Sequence, residues 1–67
     1  MIGLIVTGHG NFATGLTSSL KLIAGDPQNY VAVDFPQEYS VEDLERELTK
    51  ALDSLKDCDG ILVLSDL

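Results

Sequence analysis

The chain has 67 residues, one histidine, one cysteine and a net charge of −7 from 4 Lys+Arg against 11 Asp+Glu. That length allows one small domain or part of one, burying only about 60% of the surface its unfolded chain exposes. The charge argues against nucleic acid and anionic membranes as partners and suits a basic patch on another protein, although most of these charges serve solubility.

Lone Cys58 excludes an intrachain disulfide and points to a reducing compartment. A single histidine with scattered carboxylates lacks the clustering of a metal site. No apolar stretch approaches the roughly 20 residues of a membrane span. No basic segment precedes the short opening apolar run, as a secretory signal would require, so no direct membrane insertion is expected.

In chain order, Ile2–Thr7 predicts a strand, apolar on both faces as a central parallel strand would be. Gly8–Asn11 reads as a turn. Phe12–Ala24 predicts a helix with Phe12, Leu16, Leu20, Ile23 and Ala24 on one stripe, Asn11 as N-cap and Gly25 and Pro27 as stop signals. Tyr30–Phe35 predicts a second strand, ended by Pro36. Ser40 opens a second helix: Ser40-Val41-Glu42-Asp43 resembles a capping box, and Val41, Leu44, Leu48, Ala51, Leu52 and Leu55 fall at helical spacing. Glu42 and Asp43 in its first turn, with Lys50 and Lys56 late, suit the helix dipole. Both stripes read as core. Asp57–Gly60 reads as a loop and Ile61–Leu64 as a third apolar strand, running into Ser65-Asp66-Leu67.

Strand–helix–strand–helix–strand predicts an α/β fold: an open parallel sheet of three strands with two right-handed crossover helices. The preferred order is 2-1-3, because the first and third strands are the most uniformly apolar. All three strands then end on one edge, carrying His9, Asp34 and Asp66. In open α/β sheets that edge binds ligands, where the strand order switches. With order 2-1-3, His9 and Asp66 become neighbours. A carboxylate accepting from one imidazole N–H leaves the other nitrogen free as base or nucleophile and stabilises positive charge on the ring.

A rival reading takes Gly8-His9-Gly10-Asn11-Phe12-Ala13 as a dinucleotide fingerprint, Gly8-x-Gly10-x-x-Ala13, with Asp34 as the ribose-binding acid. A histidine between the first two glycines would crowd the pyrophosphate. A P-loop is excluded, since no Gly-Lys-Ser/Thr is present. Cys58 lies between two aspartates with no basic neighbour to lower its pKa, and reads as a bystander in a surface loop.

The opening Ile-Val-Thr-Gly-His-Gly-Asn-Phe-Ala-Thr-Gly-Leu resembles the start of the IIA component of the mannose-type sugar phosphotransferase systems. Ile23-Ala24-Gly25, Val33-Asp34-Phe35-Pro36 and Gly60-Ile61-Leu62-Val63-Leu64-Ser65-Asp66-Leu67 extend the resemblance over the whole chain. It implies that His9 is phosphorylated by the phosphocarrier protein HPr and passes the phosphoryl group to the IIB component. It implies Asp66 as the orienting aspartate, a cytoplasmic location, a homodimer when full length, and no cofactor. In that role Gly8 and Gly10 would let partner and phosphate come close. Backbone N–H groups at Gly10, Asn11 and Phe12 would bind phosphate oxygens at the helix N-terminus, and Thr7 and Ser65 would lend hydroxyls.

Family domains continue after the aspartate with a Gly/Ser-containing loop and further helices and strands, one of which contributes to the dimer. Residues 1–67 therefore read as a single incomplete domain, the N-terminal half of a larger doubly wound one. An inactive fragment or interaction module is the remaining alternative.

Overall fold

A computed structural model describes residues 1–25 and 28–66. Three parallel strands form one sheet in the order β2-β1-β3, with β1 at Ile2–His9, β2 at Tyr30–Phe35 and β3 at Gly60–Ser65. Helices α1 (Phe12–Ala24) and α2 (Val41–Ser54) are the crossovers. The expected architecture and order are both present.

Side chains alternate across the sheet and separate its two faces. Ile5 of β1 and Val33 of β2 meet Leu44, Ala51 and Leu55 from α2 and its C-cap, forming the buried cluster. On the opposite face, Leu4, Val6, Tyr30 and Leu64 line an apolar groove of about 280 Å³ with Leu16, Leu20 and Ile23 of α1. The α2 stripe therefore makes the core through Leu44, Leu48, Ala51 and Leu55, while Val41 and Leu52 point outward. The α1 stripe corrects the expectation more strongly. Ala13 is that helix's one buried residue, and Ile23 is 85% exposed. The stripe faces the side of the sheet that the described residues leave partly open. Leu62 and Leu64 of β3, on that same face, are about half exposed for the same reason, whereas Val63, paired with Ile5 on the α2 face, is half exposed as part of an edge strand.

Strand boundaries differ from the expectation at both ends of the sheet. β1 runs on through Gly8 and His9, which pair with Asp34 and Phe35 of β2, so His9 is the last residue of a strand and not part of a turn. β3 takes in Gly60 and Ser65, opposite Ile2 and Thr7 of β1. Neighbouring strands extend both, an effect that a window of residue types does not carry.

The capping box of α2 is complete. Ser40 accepts from the Asp43 amide at 3.1 Å, and the Ser40 amide donates to Asp43 at 3.0 Å. The expected basic end of α2 is absent: its last turn holds no basic residue, and Lys50 pairs with Glu47. Cys58 also departs from its surface assignment, lying half-buried against the core cluster. Pro27, one of the stop signals expected after α1, lies outside the described residues.

Candidate functional site

β1 delivers His9 to the C-terminal edge of the sheet with its side chain 70% exposed. β3 delivers Asp66 one step beyond the last ladder pair, Thr7–Ser65, and the Asp66 amide donates to the Thr7 carbonyl at 3.4 Å. The two residues meet. Asp66 Oδ1 accepts from the His9 backbone amide at 2.9 Å and lies 3.3 Å from His9 Nδ1. The carboxylate thus holds the main chain of His9 as well as facing its ring. Nε2 of His9 is left without a partner among the described residues.

Gly8 makes that contact possible. A β-carbon on it would stand 2.8 Å from Asp66 Cγ and 2.5 Å from the Phe12 ring, with Asp66 Oδ1 closer still. The room above Gly8 is therefore filled by the carboxylate and the aromatic edge, and Gly8 itself is buried. Gly10 differs: it is exposed, a β-carbon there would meet nothing, and its φ of +58° is the reason for glycine.

The turn after His9 is tied to β2. The Gly10 amide donates to the Phe35 carbonyl at 2.8 Å, and the Phe35 amide to the Gly10 carbonyl at 3.1 Å. Gly10 N–H is thus already engaged, which changes its expected availability to a phosphate. Asn11 occupies the N-cap position of α1 but makes no side-chain cap bond. Asp34, at the end of β2, supplies that bond from across the sheet. Its Oδ1 accepts from the Thr14 amide at 3.0 Å and its Oδ2 from the Thr14 hydroxyl at 2.9 Å. Asn11, Phe12 and Ala13 remain as first-turn amides without a partner among the described residues. Sequence reasoning weighed Asp34 only as a ribose ligand and missed it as a cap. The available signal was a strand-end acid combined with a helix whose first turn holds no acidic residue.

The other expected residues lie nearby in sequence but differ in environment. Thr7 is 3% exposed, and its hydroxyl is buried without a hydrogen-bond partner among the described residues. Ser65 is exposed at the end of β3. No group of three or more potential metal ligands occurs among the described residues. No helix among them is long and apolar enough to cross a membrane.

The family model for the mannose-type IIA proteins, described as the PTS system fructose IIA component, matches residues 3–67. The chain belongs to this family. It is 31% identical over all 67 residues to the PTS system fructose-specific EIIA component of Bacillus subtilis (strain 168), covering 46% of that protein. The crystal structure of the phosphotransferase system component EIIA from Streptococcus agalactiae superposes with a TM-score of 0.87 at 40% identity, over the whole of this chain and 49% of that one. The chain thus spans about half the length of these relatives. The family is that of IIA components of phosphotransferase systems. The dinucleotide reading has no support in these matches. Both oxygens of Asp34, the acid it needs for a ribose, are taken by Thr14.

Proposed function

We propose that His9 is the phosphoryl-carrying residue of this chain, accepting the group from HPr and passing it to a IIB component in coupled sugar uptake and phosphorylation. The observation that carries the reading is the single histidine at the sheet edge, with Nδ1 facing Asp66 at 3.3 Å and Nε2 unpartnered among the described residues. In the forward step the Nε2 lone pair forms a bond to phosphorus as the bond between phosphorus and its donor breaks. The ring becomes cationic, and the Asp66 carboxylate stabilises that charge through Nδ1–H. Positioning and electrostatics dominate such a transfer, and the unpartnered amides of Asn11 and Phe12 suit the phosphoryl oxygens. Gly8 serves by admitting Asp66, and Gly10 by shaping the turn. The step draws on no metal or organic cofactor.

An exposed rim suits a protein donor and acceptor better than a small substrate. Neither the groove beside β2 nor the apolar groove under α1 is lined by His9. We place the protein in the cytoplasm, where HPr resides, and read these 67 residues as the N-terminal half of a domain that is homodimeric when full length. The test uses the full-length protein with HPr and its phosphoenolpyruvate-dependent kinase. An acid-labile phosphate on His9 is expected, with labelling abolished in His9→Ala and transfer slowed in Asp66→Asn. Labelling that persists in His9→Ala overturns the assignment.

A further inference from the structure

We propose that Asp34 is a positioning residue for phosphoryl transfer, setting the place of the α1 first turn beside His9 through its paired hydrogen bonds to Thr14. The inference rests on the reading of His9 as the phosphoryl carrier. Asp34 and Phe35 are the last two residues of β2, in register with Gly8 and His9. Between them they grip both sides of the connecting turn: Phe35 by two main-chain bonds to Gly10, Asp34 by two side-chain bonds to Thr14. The stretch from Gly10 to Thr14 is therefore clamped to the strand that neighbours the histidine. Asn11 contributes no side-chain bond to this hold. Without Asp34, α1 keeps its attachment to β2 at the Gly10 end and, one turn further on, through the Thr17–Tyr30 hydroxyl pair at 2.6 Å, but its first turn loses its own side-chain hold.

The chemistry gives the clamp its consequence. Asp66 and Asp34 flank Gly8, one from β3 and one from β2, and each engages a main-chain amide: His9 for Asp66, Thr14 for Asp34. With these two amides and that of Gly10 engaged, the phosphoryl oxygens have Asn11, Phe12 and Ala13 to meet. Those three amides keep their place relative to His9 in part through the hold of α1 on β2. A shift of about 1 Å in a transfer site can cost a hundredfold in rate. Thr14 contributes through both amide and hydroxyl, so removal of the hydroxyl alone leaves half the clamp.

The experiment uses the full-length protein, HPr and its kinase, and follows His9 phosphorylation at saturating and limiting phospho-HPr. Asp34→Ala is expected to lower kcat at least tenfold, with KM for phospho-HPr changed less than twofold. Asp34→Asn keeps an oxygen for the Thr14 amide and is expected to recover most of that loss. Thr14→Val, which keeps the amide and loses the hydroxyl, is expected to fall between wild type and Asp34→Ala. Rates are taken per folded molecule, fixed by circular dichroism and a thermal melt. If folded Asp34→Ala transfers at the wild-type kcat, or Asp34→Asn is no better than Asp34→Ala, the positioning role is wrong. If Asp34→Ala does not fold, the intermediate rate expected of Thr14→Val decides, and a wild-type rate there overturns the proposal. Absence of labelling on His9 in the wild-type protein instead removes the carrier reading on which this one stands.

Discussion

A methyl group at Gly8 would have to occupy space that Asp66 and Phe12 already fill, 2.5 Å from the aromatic ring. Neither neighbour yields cheaply, because the carboxylate holds the His9 amide and Phe12 begins α1. Gly8→Ala is expected to destabilise the fold by about 1–3 kcal/mol, as overpacking of a filled site does. It should also sharply slow phosphorylation of His9 in the full-length protein. A urea titration and a phosphorylation assay check the two effects together. Unchanged values in both would show that the space above Gly8 is looser than the geometry indicates. The juxtaposition of His9 and Asp66 was legible from strand order and from which residues end the strands. The task of Gly8 was not, because part of its crowding comes from Asp66, 58 positions away in the chain.

At the scale of elements, α1 and α2 begin in opposite ways. α2 caps itself with neighbours in sequence, and Ser40→Ala is expected to cost about 1 kcal/mol in a denaturant titration. The Ser40 amide, first, then the Ser40 hydroxyl and Arg46 hold the Asp43 carboxyl below its ordinary value of 3.8. A lowered folded pKa means that the folded state holds the charged form more strongly than the unfolded chain does. The stability so gained is complete above the ordinary carboxylate value and disappears as pH falls through the lower folded value. Stability measured between pH 6 and pH 2 should therefore fall less in Asp43→Asn than in wild type. Equal slopes would remove Asp43 from the acid response. α1 lacks such a local cap and takes one from Asp34, 20 residues away in sequence. The α2 start was readable from four consecutive residues, whereas the α1 start needed the β2–β1 register.

For the whole molecule, α2 covers one face of the sheet, while α1 leaves the other partly open: Val6 and Ala13 are buried there but Ile23 is not. Ile5 is fully buried in the cluster with Val33, Leu44, Ala51 and Leu55, and Ile5→Ala is expected to cost 2–5 kcal/mol, roughly the figure for emptying a core site. In the 67-residue chain taken by itself, that loss should abolish the cooperative urea transition. Ile23→Ala, at 85% exposure on α1, should shift the same transition by about 0.5 kcal/mol or less. Similar losses at the two sites would mean that the open face is packed in solution.

Residue types in order were enough for the three strands, the two helices, the parallel sheet, the self-capped start of α2 and the place of His9 at the sheet edge. Those features depend on local periodicity, on turn and capping chemistry, and on the rule that crossovers return each strand in the same direction. The tertiary structure decided which amphipathic stripe is buried, how far β1 and β3 run, why Gly8 has no side chain, and that Asp34 caps a helix. Each of these depends on groups brought together from distant parts of the chain. The apolar period of α1 resembles that of α2, but burial requires a surface to cover it. Among the described residues, α2 meets a complete core and α1 an open groove.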